Sequence, residues 1–179
     1  MIKWLVTFLV VGLAMVLWRT AGAAKRNLPR AGDDAPAFEL PDQAGRLRGI
    51  GEFRGKWLVL YFYPRDDTPG CTEQAARFRD SMEQLEALGA AVCGVSVDDS
   101  ESHAEFARNY KLPFTLLADR GGAMAARYGS LLNLGLMKFA KRNTFLVDPR
   151  GKVARVYLGV NPARNAGEVI EDLKRLQKR

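Results

Sequence analysis

Residues 57–74 read WLVLYFYPRDDTPGCTEQ, and the change of pattern inside this stretch decides the fold. Trp57–Tyr63 is an unbroken apolar run, as expected of a strand covered on both faces. Pro64 has no N–H and stops the hydrogen-bond ladder. Pro69-Gly70 punctuates a tight turn. Over residues 72–88 the period changes. Ala75, Phe78, Met82 and Leu85 recur at three- and four-residue steps, which marks a helix with one buried stripe, and Gly89 suits its C-terminal end. The order is buried strand, tight turn, amphipathic helix, with Cys71 where the helix begins.

Working outward, Ala91–Val97 reads as a second buried strand. Ser102 and Glu105 have capping-box spacing and open a helix to about Tyr110. Phe114–Leu117 reads as a strand and 122–128 as a short helix. Asn143–Val147 and Lys152–Leu158 flank the turn signal Asp148-Pro149-Arg150-Gly151 and predict a hairpin. Residues 166–177 place Val169, Ile170, Leu173 and Leu176 on one face of a closing helix. Alternating strands and helices, then a hairpin and a helix, define an α/β domain with a mixed central sheet. There are no internal repeats.

Charge is unevenly spread over the 179 residues. The net charge is +7, yet residues 1–30 hold Lys3, Arg19, Lys25, Arg26 and Arg30 and no acid. The rest of the chain is close to neutral, so the charge gives no nucleic-acid footprint. Residues 4–18, WLVTFLVVGLAMVLW, are uncharged and almost wholly apolar. They support two leading readings, an uncleaved membrane anchor and a cleaved signal with Ala21-Gly22-Ala23 as an A-x-A-like site, and a third, a buried apolar helix of the domain. The expected organisation is an anchor or signal over 1–24, a linker over 25–35 and the domain over 36–179. Its place is at a bacterial inner membrane with the domain on the extracytoplasmic side, a cytoplasmic-facing domain being the alternative.

Two cysteines and one histidine are too few for a disulfide scaffold or an ordinary structural zinc site. No cofactor or metal is expected. Cys71 is the candidate reactive group. A helix start offers unpaired N–H groups and the positive end of the helix dipole, and both favour a thiolate, the form that attacks. Thr68, three residues earlier, carries a hydroxyl that can donate to the thiolate or hold an incoming oxygen. Pro64, Pro69 and Gly70 leave a compact mouth. Arg142, directly before the strand at Asn143, is the candidate fixed cation, with Lys141 as the nearby alternative.

These residues resemble a known family. Pro64-x-x-x-Thr68-x-x-Cys71, in the fuller form YFYPRDDTPGCT, is similar to the motif of the peroxiredoxins, most closely their bacterioferritin-comigratory or Q-type branch. Residues 32–40, GDDAPAFEL, and 142–153, RNTFLVDPRGKV, extend the resemblance over about residues 31–179. It implies a thioredoxin-like fold and a thiol peroxidase acting on hydrogen peroxide and organic hydroperoxides, in antioxidant defence and redox homeostasis. It makes Cys71 the peroxidatic cysteine, Thr68 and Arg142 the groups that orient and polarise the peroxide, and Pro64 the shield of the thiolate. It also implies an external thiol reductant, a thioredoxin-like protein or a small thiol. A monomer is the default expectation.

The sequence departs from that pattern at the resolving cysteine. The position five residues after Cys71 is Ala76, and the usual site in HAEFARN, 103–109, aligns with Ala107. Cys93 sits inside AVCGVSV and reads as a buried core residue. The expected cycle therefore uses one cysteine. A Cys-x-x-Cys reductase is excluded because Thr68 and Gln74 occupy the positions on either side, and a copper-handling site lacks its second cysteine. A redox-sensing binding protein or holdase remains the non-enzyme alternative. His103 is expected to be a solvated helix residue without a role, and Asp66 and Asp67 turn residues.

Overall fold

The buried run Trp57–Phe62 forms strand β3 at the centre of a five-stranded sheet. The structure, a computed structural model, describes residues 28–178. The apolar run 4–18 and the start of the expected linker lie outside the described residues. Two short strands, β1 (Glu39–Pro41) and β2 (Leu47–Gly49), pair antiparallel and precede β3. The rest follows in the order α1 (Pro69–Asp80), α2 (Met82–Ala87), β4 (Ala90–Ser96), α3 (Ser100–Tyr110), β5 (Thr115–Ala118), α4 (Ala123–Arg127), β6 (Leu131–Asn133), β7 (Lys138–Ala140), β8 (Thr144–Val147), β9 (Val153–Tyr157) and α5 (Asn165–Leu176).

The sheet order is β5-β4-β3-β8-β9. β3, β4 and β5 run parallel, while β8 and β9 are antiparallel to their neighbours. This is the mixed sheet of the thioredoxin-like class. Alternation along β3 builds two cores. Val59, Tyr61 and Tyr63 pack with Phe78 of α1, Phe106 of α3 and Val169 of α5. Leu58, Leu60 and Phe62 pack on the other face with Cys93, Met124, Tyr128 and Phe145. Each fully buried side chain of this size stabilises by about 1.5–3 kcal/mol. Gly94 of β4 is required by the close approach of the first core, since a Cβ there would lie 2.8 Å from both Leu116 and the Tyr61 hydroxyl.

The structure corrects several local expectations. The single helix over 72–88 is two helices broken at Ser81, whose N–H donates to the Phe78 carbonyl in a tighter three-residue turn. The cap of α3 is Asp99, not Ser102. Asp99 Oδ1 accepts the Ser102 N–H at 3.0 Å, so the helix begins earlier. The β1–β2 and β6–β7 hairpins were not foreseen, because strands of three residues are too short to show a period. Residues 32–35 dock on the β8–β9 turn, with Gly32 N–H on Val153 O at 2.8 Å and Ala35 N–H on Gly151 O at 2.9 Å.

Candidate active site

β3 ends at the mouth of the site, and the chain must reverse to start α1. Tyr63 N–H makes the last ladder bond, to Val95 O, and Pro64 offers no successor. Asp67 takes a left-handed conformation, φ 54°, to complete the turn. Thr68 is the N-cap and Pro69 the first helical residue, a position where its missing N–H costs nothing. The first intrahelical bond runs from Thr72 N–H to Thr68 O at 2.9 Å. Cys71 therefore stands in the first turn, at the positive end of the helix dipole. Its side chain is 1% exposed and packs among the residues of the first core.

Arg142 reaches Cys71 from the other side of the chain reversal. It precedes β8, which pairs with β3 through Tyr61↔Thr144. Its carbonyl accepts Val160 N–H at 2.9 Å, and the Asn143 side chain accepts Gly159 N–H at 3.0 Å. Backbone pairing thus fixes the start of the side chain. Its end is fixed as well: Nη2 donates to Cys71 Sγ at 3.3 Å, and Nη1 to Gln74 Oε1 at 2.8 Å and to Gly70 O at 3.3 Å. Gly70 makes room for this, since a Cβ there would sit 3.2 Å from Nη2. Lys141, the alternative cation, is exposed.

Gln74 is the residue that sequence reasoning missed. It is fully buried. Its amide nitrogen donates to Asn165 Oδ1 at 3.0 Å, and Thr144 Oγ1 donates to the same oxygen at 2.8 Å. The chain Arg142–Gln74–Asn165–Thr144 joins α1, β8 and α5 beneath the sulfur. One signal was available: Gln74 lies one helical step beyond Cys71, on the buried stripe with Ala75 and Phe78.

Thr68 does not point its proton at the sulfur. Its hydroxyl donates to Arg65 O at 3.0 Å, which leaves the oxygen lone pairs free to accept. Pro64 is half-buried at the end of β3. His103 is not solvated. It is completely buried, with Nδ1 2.8 Å from Asp66 Oδ2 and Nε2 3.1 Å from Leu117 O. Asp66 also accepts from Tyr63 at 2.7 Å and from Ser102 at 2.7 Å. Burial alone would raise the Asp66 carboxyl, but His103, Ser102 and Tyr63 outweigh it and hold the group below the usual carboxylate range. This cluster ties α3 to the turn that carries Thr68. Position 103 is one helical step before Phe106, and that spacing placed it on the buried face.

Cys93 is completely buried in β4, in the core opposite to that of Cys71, and burial pushes its thiol well up. Such a thiol is inert. Among the described residues no group of three or more His, Cys, Asp or Glu side chains forms a candidate metal site. An open groove between β2, the start of β4 and Phe114 touches neither Cys71 nor Arg142.

A buried thiol in the first turn of a helix, held by a guanidinium on a thioredoxin-like sheet, defines a thiol-based redox protein. The AhpC/TSA family matches residues 31–156. Peroxiredoxin Q of the Sedum lineare chloroplast is 44% identical over 147 residues, 82% of this chain and 78% of the relative. The bcp-type peroxiredoxin of Coxiella burnetii is 38% identical over 143 residues, 78% of this chain and 95% of the relative. Among solved structures, peroxidoxin BcpB of Mycobacterium tuberculosis superposes with a TM-score of 0.79 at 32% identity, covering 83% of this chain and 98% of that one. The bacterioferritin comigratory protein of Xanthomonas campestris gives 0.74 at 30%, covering 82% and 99%. The chain belongs to the AhpC/TSA family, in its peroxiredoxin Q or bacterioferritin-comigratory branch. It is a thiol-dependent peroxidase, an oxidoreductase that reduces peroxide.

Proposed function

We propose that Cys71 is the peroxidatic group and that Arg142 holds both the sulfur and the peroxide. The observation that carries this reading is the 3.3 Å contact from Arg142 Nη2 to Cys71 Sγ in the first turn of α1. A fixed guanidinium there stabilises the negative charge on the attacking sulfur and the charge that develops on the leaving oxygen. The thiolate attacks the terminal peroxide oxygen. The S–O bond forms as the O–O bond breaks, giving a sulfenic acid and an alkoxide, or hydroxide, that takes a proton from water. Thr68, with its own proton committed to Arg65 O, accepts from the peroxide O–H and aligns it. Pro64 covers the sulfur from the end of β3.

The second half of the cycle uses an external thiol, a thioredoxin-like protein or a small molecule. That thiol condenses with the sulfenic acid, releasing water and leaving a mixed disulfide, and a second thiol then frees Cys71. Three features support a one-cysteine cycle: Ala76 and Ala107 at the usual resolving positions, and Cys93 on the far face of the sheet. A single copy is the proposed working unit, since Cys71, Thr68 and Pro64 share one chain reversal and Arg142 of the same chain reaches the sulfur. Hydrogen peroxide and organic hydroperoxides are the proposed substrates.

The run 4–18 supports a place at a bacterial inner membrane, with the domain on the extracytoplasmic side. Among the described residues no helix is long and apolar enough to cross a membrane, so this reading rests on the N-terminal sequence.

The test is turnover. Full chain and Cys71→Ser are mixed with hydroperoxide and dithiothreitol, and thiol consumption is followed. Wild type should cycle and Cys71→Ser should not. Equal rates would sink the assignment, and one oxidation without any return would favour a redox-sensing binder.

A further inference from the structure

The β6–β7 hairpin is not used by the peroxidase reading, yet its tip is well formed. Leu134 N–H donates to Met137 O at 2.9 Å, and Asn133 Oδ1 accepts Gly135 N–H at 3.0 Å. All residues from 132 to 138 are exposed. Leu132 is 41% exposed, Leu134 57%, Leu136 104% and Met137 58%. Of the six large apolar side chains exposed among the described residues, four lie on this tip. So concentrated an apolar patch on a hydrogen-bonded turn marks an interaction surface.

Charge narrows the partner. Between Asp119 and Asp148 the chain has no acidic residue and five basic ones: Arg120, Arg127, Lys138, Lys141 and Arg142. Arg142 is committed to Cys71. Lys138 stands in β7 at the foot of the tip, its ammonium donating to Gly121 O at 3.1 Å, and Lys141 follows β7. Arg120 precedes α4 and Arg127 ends it, just before the hairpin. A surface of apolar side chains backed by cations matches a bilayer with anionic headgroups. A second copy of the chain would bring two such basic sets together.

The path of the chain points the same way. Leu28 packs at the base of the hairpin, its Cα 3.1 Å from where a Cβ on Gly129 would lie. Upstream, residues 1–27 carry Lys3, Arg19, Lys25 and Arg26 and no acid, around the uncharged run 4–18. From Arg19 to Leu28 the chain can reach at most about 30 Å. A domain of this length is roughly 40 Å across. With residues 4–18 in a bilayer, the tether is too short for the hairpin side to turn fully away.

We propose that the β6–β7 tip is a second membrane contact, seating Leu134, Leu136 and Met137 in the interface of an anionic bilayer with Lys138 and Lys141 at the headgroups. This rests on the reading of 4–18 as bilayer-embedded. It fixes the orientation of the domain and places the strand leading to Arg142 beside the lipid surface.

The experiment uses the full chain in a Cys71→Ser background, so that an introduced cysteine is the exposed thiol. Leu136→Cys, Leu9→Cys and, as a control on β2, Leu47→Cys are each labelled with nitrobenzoxadiazole. They are reconstituted with phosphatidylglycerol-containing or pure phosphatidylcholine vesicles. The expected result is a blue shift and a several-fold emission gain at positions 136 and 9, the gain at 136 being larger with phosphatidylglycerol, and no change at 47. Lipid contact at 9 with position 136 in water would overturn the hairpin proposal and leave the anchor standing. Silence at both would remove the anchor and the proposal with it. Brightening at 136 that follows protein concentration without vesicles would identify a second copy as the occupant and also overturn it.

Discussion

Cys71 and Cys93 lie on opposite faces of the central sheet. Cys71 packs with Val59 and Tyr61, while Cys93, beside Leu60 in register, packs with Leu58 and Phe62. A disulfide needs Cα atoms within about 7 Å and side chains that face each other. Here β3 and β4 themselves would have to separate. One equivalent of peroxide should therefore add one oxygen to the chain and form no internal disulfide, and Cys93→Ala should behave the same by intact mass. A loss of two hydrogens that disappears in Cys93→Ala would show that the strands do part.

Arg142→Lys should slow Cys71 oxidation by about 10²-fold, the usual cost of removing a preorganised donor to a developing anion. Lysine keeps the charge but cannot hold sulfur, Gln74 Oε1 and Gly70 O with one planar group. Circular dichroism should not change. Competition against a peroxidase of known rate measures the effect, and a wild-type rate in the lysine variant would refute the role.

Gly70→Ala separates geometry from stability. Alanine suits a first helical turn and should stabilise by about 0.5–1 kcal/mol. Its Cβ, however, would stand 3.2 Å from Arg142 Nη2 and push the guanidinium off the sulfur by a few tenths of an ångström. The expected outcome is an unchanged or higher melting temperature with a several-fold slower reaction with peroxide. If rate and stability rise together, the fit around Arg142 is looser than drawn.

Asp66 should govern acid stability. Its folded-state carboxyl lies below the usual range because His103, Ser102 and Tyr63 outweigh its burial. A lowered carboxyl contributes stability that is complete above about pH 4 and fades as pH falls through the folded value. Asp66→Asn should cost about 1–3 kcal/mol at neutral pH, since three donors lose a charged acceptor. It should also flatten the fall in stability below pH 4, as seen in urea midpoints across that range. A parallel shift at every pH would mean that the carboxylate is not the titrating group.

Legibility in the sequence followed the length of each pattern. β3, β4 and α5 show long apolar runs or periods, and they appear close to where those patterns place them. Cys71 and Thr68 could be placed because Pro64, Pro69 and Gly70 make the turn explicit, and the position before β8 was enough to nominate Arg142. The buried polar groups were hidden for a different reason. Gln74, Asn165 and His103 gain partners 91 and 37 positions apart along the chain, and no local spacing encodes such pairings. A polar residue on an apolar stripe is the only trace they leave, and both Gln74 and His103 sit on one. The β6–β7 hairpin escaped because its strands are three residues long.

The 1% exposure of Cys71 has a consequence for whatever restores it. A hydroperoxide brings its reacting oxygen on a slender end and can thread a narrow mouth. In the proposed one-cysteine cycle, a reducing thiol must follow the same route. The donor of such a cycle is expected to be small, or to carry its sulfur on a thin protrusion. Both half-reactions are then filtered by the width of one opening.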